Sequence, residues 1–180
     1  VQRHLYFHGS HKQLLSKNPS FTPWMATLAE AFPDARFIGC VRNPSAAVPS
    51  QINSILIGAR LFDGRDTTDY WRQGFMAMLD YYYRHVLDVL ESLPPERQAL
   101  SVMEQLAPAP ADIVLAFYQR FGWQPGTAFR QQLDAQDRKA KQYRSGHHYS
   151  LEALGVSGEE LLQTFGWVYE RFGFALPPRD

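Results

Sequence analysis

Hydrophobic residues recur at helical spacing along much of the chain, and short continuous apolar runs separate these stretches. The helical spacing predicts helices over residues 1–8, 22–32, 43–60, 71–93, 110–121 and 158–172. The apolar runs predict strands over residues 13–16, 36–41 and 99–103. Because strands alternate with helices, we expect an α/β fold with three layers, in which a short parallel sheet is flanked by helices.

Capping residues define the start of two of these helices. Asn43-Pro44 places a capping side chain before a proline that suits the first helical turn. Ser157 and Glu160 form a capping box at the start of the last helix. Pro49 lies early in the helix that follows Asn43, so we expect a kink or a delayed start there.

Two segments lack a helical period. Residues 61–69 are polar and contain a glycine, which predicts a loop, and residues 123–150 show no clear period. In the long helix over 71–93, the apolar stripe includes Tyr82 and leaves Tyr81 and Tyr83 on neighbouring surface.

Composition excludes several classes of protein. Among the 180 residues, 18 Lys and Arg balance 18 Asp and Glu, so a polycation that coats nucleic acid or an anionic membrane is not expected. The apolar runs are too short to span a bilayer. Cys40 is the single cysteine, which fits a reducing compartment, and we expect a cytoplasmic protein. His147 and His148 have no third ligand at a suitable spacing, so no metal site is predicted.

The pattern most typical of a ligand site lies in residues 32–51, where an apolar strand ends at Arg42 and a helix then begins. Ligands of α/β proteins bind at the carboxyl ends of strands, and the start of a helix offers N–H groups to an anion. Arg42 would add a charged fork suited to phosphate, and a bend at Pro49 would bring the Ser50 hydroxyl to the same oxygens. The pattern predicts a phosphate-monoester site; a plain salt-bridge arginine is the alternative.

Residues 14–51 resemble the core of sulfotransferases that use 3′-phosphoadenosine 5′-phosphosulfate (PAPS). The shared pattern is Lys-x-Pro, a helix, Phe-Pro-Asp-Ala-Arg-Phe, then Arg-Asn-Pro and a serine. A weaker likeness continues at residues 101–106, where Met-Glu-Gln-Leu stands for the family's Tyr-Glu-Asp-Leu, and at residues 148–155 before the last helix. The resemblance therefore spans most of residues 14–173.

The resemblance implies a P-loop-like sulfotransferase fold and a role for four residues. Arg42 and Ser50 match the pair that binds the 3′-phosphate of PAPS. Lys17 lies where relatives carry a lysine near the transferred sulfuryl group; a solvated loop lysine is the alternative. Arg144 belongs to a basic segment, residues 138–148, that would close over the phosphates as a lid, unless it is only a solvated loop.

The chain departs from the family pattern in two respects. The family's phosphosulfate loop precedes the segment that resembles residues 14–51, and the 180 residues contain no such loop. We therefore expect a single domain over residues 1–180 that is an N-terminally truncated fragment. Cytosolic relatives place a catalytic histidine two residues after the lysine, where this chain has Pro19, so the general base is not predicted.

The function implied is transfer of the sulfuryl group from PAPS to a hydroxyl or amine of a small-molecule or glycan acceptor, without a metal. Two alternatives stay open. A P-loop nucleotide kinase relative would need a Walker loop before residue 1. A non-catalytic module that keeps only the fold would lack a phosphosulfate loop. The sequence predicts neither the acceptor nor the oligomeric state.

Overall fold

The computed structural model describes residues 6–7, 9, 13–65, 67–142 and 151–177. Within these residues the strands are β1 (Phe37–Val41) and β2 (Gln98–Val102). The helices are α1 (Met25–Ala31), α2 (Pro44–Asp63), α3 (Thr68–Ser92), α4 (Met103–Leu106), α5 (Pro110–Arg120), α6 (Thr127–Gln142) and α7 (Gly158–Phe172). Short 3₁₀ turns cover Pro19–Trp24, Pro95–Arg97 and Glu152–Leu154.

The two strands form a parallel pair in which Gly39 lies opposite Leu100. The chain leaves β1 through α2 and α3 and returns to β2, which is the crossover that parallel strands require. Helix α3 lies close against β1, and a Cβ on Gly39 would come within 2.7 Å of Leu90 Cδ1. Glycine at position 39 therefore allows the helix to approach the sheet.

The main core forms where α2, α3 and α7 meet the strands. Helix α7 is at its centre, because Leu161, Phe165 and Val168 are fully buried. The apolar stripe predicted for this last helix is therefore confirmed. Its capping box is half formed: Ser157 Oγ accepts a hydrogen bond from the Glu160 N–H, whereas the Glu160 carboxylate pairs with Arg72 on α3.

One face of β1 is not covered as the sequence predicted. The continuous apolar run suggested burial on both faces, but Ile38 is 40% exposed and Cys40 is exposed. Burial depends on what packs against a face, and within the described residues the helices cover the face with Gly39 and Val41.

The strand predicted at residues 13–16 is wrong. These residues have no regular structure, and Leu15 is 90% exposed. A short apolar pair becomes a strand only where another strand offers hydrogen bonds, and β1 and β2 pair with each other. The next predicted helix begins later than expected, since a 3₁₀ turn over Pro19–Trp24 precedes α1.

Helix α2 is longer and more regular than predicted. It starts at Pro44 and runs through Pro49 to Asp63, so the expected delayed start is wrong. Gly64 ends the helix with a left-handed φ of 67°. The predicted loop over residues 61–69 is correspondingly shorter, because α3 already begins at Thr68.

Helix α6 was missed by the sequence pattern. Of its residues only Leu133 is buried, so the apolar stripe that normally marks a helix is almost absent. Asp137 on this helix accepts a hydrogen bond from the Ala111 N–H at 2.8 Å, which caps α5. The basic residues Lys139 and Lys141 lie in the last turn of α6 rather than in a loop.

Candidate functional site

Arg42 directly follows the last residue of β1, at the carboxyl end of the sheet. Asn43 then caps α2, because its Oδ1 accepts a hydrogen bond from the Ser45 N–H at 2.8 Å. This confirms the cap predicted at Asn43-Pro44. The buried ring of Pro44 fills the first turn, where a missing N–H costs nothing. The strand and the helix thus fix the backbone on either side of Arg42.

The Arg42 side chain is available to an anion. It is exposed, and in the described part of the chain its guanidinium has neither an ion pair nor a hydrogen-bond partner. The carboxylate of Glu104 is bonded to the neighbouring Asn43 N–H instead. The alternative of a salt-bridge arginine therefore finds no partner among the described residues.

The N–H groups at the start of α2 are occupied, contrary to the sequence prediction. The Asn43 N–H donates to Glu104 Oε1 at 2.9 Å, and the Ser45 N–H donates to the Asn43 side chain. The N–H groups of Ala46 and Ala47 both donate to the Asn43 carbonyl at 2.9 Å. An anion here would consequently be held by side chains rather than by the helix backbone.

Ser50 lies on the same face of α2 as Asn43, the residue that caps the helix. Seven residues separate them, which is almost two helical turns and about 10 Å along the axis. Ser50 is half-buried, and its hydroxyl has no hydrogen-bond partner within the residues described. Helix α2 continues through Pro49 without interruption, so it shows no break at the position where the sequence suggested a bend.

The charge of Lys17 acts on the thiol of Cys40 in β1. Although Cys40 is exposed, partial burial of its thiol is the larger effect and raises the pKa, and the charge of Lys17 lowers it in part. Lys17 is itself exposed, in the irregular segment before the 3₁₀ turn that begins at Pro19. Cys40 itself precedes Arg42 by two residues in the chain.

The peptide group that joins Arg42 to Asn43 is bonded at both ends. The Tyr83 hydroxyl donates to the Arg42 carbonyl at 2.6 Å, and Glu104 Oε1 accepts from the Asn43 N–H. Sequence reasoning missed Tyr83, because it placed Tyr82 in the core stripe. The structure buries Tyr83 and leaves Tyr82 half-buried, whereas Val86, Val89 and Leu90 are buried as the stripe predicts.

Burial of Tyr83 has an electrostatic consequence. Burial is the main reason that the pKa of its hydroxyl is raised well above the usual tyrosine value, and the charge of Glu104 adds to this. The hydroxyl therefore stays protonated and remains a donor. A second buried tyrosine, Tyr169, forms a 2.6 Å hydrogen bond with Ser45 Oγ in the first turn of α2.

One open cleft does not include Arg42, Ser50 or Lys17 in its lining. This cleft of about 420 Å³ is lined by Ser20, Phe21, Trp24, Thr27 and Leu28. It has no cationic lining and is not an anion site. Arg144 and the rest of residues 143–150 lie outside the described residues, and the lid predicted there stays a prediction.

No group of three His, Cys, Asp or Glu side chains among the described residues could hold a metal ion. None of the helices in that part of the chain combines the length and the apolar character that a membrane crossing requires.

The arrangement can be compared with known proteins. A sequence model of the sulfotransferase family matches residues 2–124, well over half of the chain. The chain belongs to the sulfotransferase family. The match to this family includes Lys17, Arg42, Ser50 and Glu104.

The fold is also that of a solved sulfotransferase. The crystal structure of sulfotransferase STF9 from Mycobacterium avium superposes with a TM-score of 0.74 at 23% identity. The superposition covers 91% of this chain and 42% of that one, so the chain spans less than half of the solved protein. The predicted α/β fold with a short parallel sheet is therefore confirmed. No curated protein matches the chain at a significant level.

Proposed function

We propose that this sulfotransferase-family chain binds the 3′-phosphate end of PAPS and serves the transfer of its sulfuryl group. The observation that carries the proposal is the exposed guanidinium of Arg42 at the carboxyl end of β1, which has no partner among the residues that the structure describes. Membership of the family supports sulfuryl transfer, and an unpaired arginine at this position suits a phosphate monoester.

In this proposal Arg42 and Ser50 bind the 3′-phosphate together. The guanidinium donates to two phosphate oxygens, and the Ser50 hydroxyl donates to a third. Because the N–H groups of α2 are already bonded, recognition depends on these two side chains. Discrimination between nucleotides with and without a 3′-phosphate should then depend strongly on Arg42.

Lys17 would act at the other end of the nucleotide. During in-line transfer the bond between sulfur and the bridging phosphate oxygen breaks, and a bond from sulfur to the acceptor oxygen or nitrogen forms. Adenosine 3′,5′-bisphosphate leaves, and the acceptor loses a proton to a base. The Lys17 ammonium would stabilise the negative charge that develops on the bridging oxygen. We also assign Arg144 to the phosphates, as part of a closing segment.

The acceptor in this proposal is a hydroxyl or amine of a small molecule or a glycan. We place the reaction in the cytoplasm, because the chain's single cysteine needs no oxidising environment.

Arg42→Ala tests the proposal. It should weaken binding of adenosine 3′,5′-bisphosphate by about 1.5–3 kcal/mol, the usual value of a hydrogen bond to a charged group. Binding of adenosine 5′-monophosphate should hardly change, since that nucleotide has no 3′-phosphate. Isothermal titration calorimetry on the protein expressed from its complete gene measures both affinities.

Arg36→Ala is the matched control. Arg36 is an exposed arginine just before the start of β1, where its guanidinium packs over the rings of Phe121 and Trp123. Its loss should leave both affinities unchanged. Equal losses for the two nucleotides in Arg42→Ala would contradict the 3′-phosphate assignment. A wild-type protein that binds neither nucleotide would favour the non-catalytic module, and one that prefers ATP would favour the kinase alternative.

A further inference from the structure

A single peptide group in the candidate site is held from two sides by side chains distant in sequence. Tyr83, 41 residues after Arg42, bonds its carbonyl oxygen, and Glu104, 61 residues after Asn43, bonds its N–H. The two partners come from α3 and from α4, the short helix that follows β2. We call this arrangement of Tyr83, Glu104 and the Arg42–Asn43 peptide the peptide clamp.

The peptide clamp acts on the backbone dihedral angles next to Arg42. With both ends of a planar peptide group bonded, rotation about the Cα–C bond of Arg42 and the N–Cα bond of Asn43 is restricted. These rotations determine where the Arg42 side chain leaves the backbone. An exposed arginine gains affinity for a ligand when its starting direction is already fixed.

The two halves of the clamp differ in their surroundings. Tyr83 is buried and contacts the core, since its ring meets Phe165 edge-on at 6.0 Å. Glu104 is exposed, yet its carboxylate is directed at the Asn43 N–H and forms no ion pair with Arg42 among the residues described. The core thus supports the carbonyl end of the peptide group, and α4, the short helix after β2, supports the N–H end.

We infer that Tyr83 and Glu104 are positioning residues that set the direction of Arg42 for binding the 3′-phosphate of the nucleotide. The inference rests on the proposed function, because it needs Arg42 to bind that phosphate. Neither residue has to touch the nucleotide. Their effect should therefore disappear when Arg42 is absent.

Tyr83→Phe removes one hydroxyl and keeps the buried ring. It should weaken binding of adenosine 3′,5′-bisphosphate about threefold to tenfold, the loss expected for one neutral hydrogen bond. Tyr169→Phe is the matched control, because it removes the same group from a buried tyrosine whose bond goes to Ser45 instead. It should change this affinity less than about twofold for a similar loss of thermal stability.

Two variants of Glu104 test the other half without risk to the core. Glu104→Gln and Glu104→Ala remove the same charge, but only glutamine keeps an oxygen that can accept from the Asn43 N–H. The glutamine variant should bind adenosine 3′,5′-bisphosphate about threefold to tenfold more tightly than the alanine variant. Equal affinities of the two variants would overturn the role of Glu104.

A double-mutant cycle separates this inference from the proposed function. If Tyr83 acts through Arg42, Tyr83→Phe should cost no further affinity in the Arg42→Ala background. If Arg42→Ala alone leaves 3′-phosphate binding unchanged, the proposed function fails. If Arg42→Ala weakens binding but Tyr83→Phe does not, or Tyr83→Phe has the same effect in both backgrounds, the peptide clamp is not a positioning device.

Discussion

Side chains near the carboxyl end of β1 depend on charges and burial that come from elsewhere in the chain. Cys40 lies on the strand, but the pKa of its thiol reflects burial and the charge of Lys17, which comes from a segment before α1. The distance in sequence between the two residues hid this electrostatic effect from sequence analysis. Because Cys40 is the only cysteine, it also reports on the position of Lys17.

Alkylation of Cys40 by iodoacetamide should therefore respond to Lys17. The thiolate is the reactive form, and burial raises the thiol pKa, so the rate should rise only above the usual thiol range. Lys17→Ala removes the charge that lowers the pKa, and should slow alkylation at about pH 8 by about twofold to tenfold. Mass spectrometry of the labelled protein measures the rate.

Lys139→Ala provides the control for this experiment. Lys139 lies in the last turn of α6, and its charge is not among those that affect the Cys40 pKa. The variant should react at the wild-type rate. An unchanged rate in Lys17→Ala would place Lys17 away from β1 and remove the main support for its assignment to the sulfuryl group.

At the scale of secondary structure, periodicity located the elements that bury an apolar stripe. Helix α7 was predicted almost to the residue, because five of its residues are buried at helical spacing. Helix α6 was missed because it buries only Leu133. The packing of α3 on β1 depends on Gly39, whose missing side chain lets Leu90 approach. No sequence pattern indicated that contact.

Gly39→Ala should destabilise the protein by about 1–3 kcal/mol, the usual cost of overfilling a packed core. The added methyl would lie 2.7 Å from Leu90 Cδ1 and 3.2 Å from Leu100 Cδ1. Gly58→Ala is the matched control, because nothing lies within 4 Å of a Cβ at that position in α2. It should stabilise the helix by up to about 1 kcal/mol.

Urea unfolding followed by circular dichroism measures both changes. The prediction fails if Gly39→Ala unfolds at the same urea concentration as the wild type, which would mean that Leu90 moves aside at no cost.

At the scale of the whole molecule, α7 connects the proposed site to the rest of the core. Phe165 on this helix meets the ring of Tyr83, and Tyr169 bonds to Ser45 in the first turn of α2. The start of α7 is joined to α3 by Arg72, which pairs with Glu160 at 2.7 Å and donates to the Gly155 carbonyl at 3.1 Å. These contacts hold α7 against the helices that surround the site.

Arg72→Ala should lower the free energy of unfolding by about 1.5–3 kcal/mol, since the side chain is only 17% exposed and several hydrogen bonds are lost. Arg171→Ala is the comparison, because Arg171 pairs with Glu91 at an exposed position. That variant should lose no more than about 1 kcal/mol. Equal losses in chemical denaturation would show that burial does not distinguish the two pairs.

Much of the candidate site could be read from the sequence, because it depends on residues close together in the chain. The apolar run before Arg42 predicted the strand, and Asn43-Pro44 predicted the start of α2. The same local pattern suggested free N–H groups for an anion, which was wrong. Their partners include Glu104, and a contact across 61 residues leaves no trace in local sequence.

The sequence by itself determined the order of the main elements, the cap of α2 and the family resemblance, since periodicity and motifs act between near neighbours. Only the tertiary structure decided which face of β1 is covered, that Tyr83 rather than Tyr82 enters the core, and that one peptide beside Arg42 is bonded at both ends. These features depend on how helices rotate and pack against one another. Tyr82 and Tyr83 are neighbours on a helix and point about 100° apart, and a local pattern does not decide which of the two the packing elements cover.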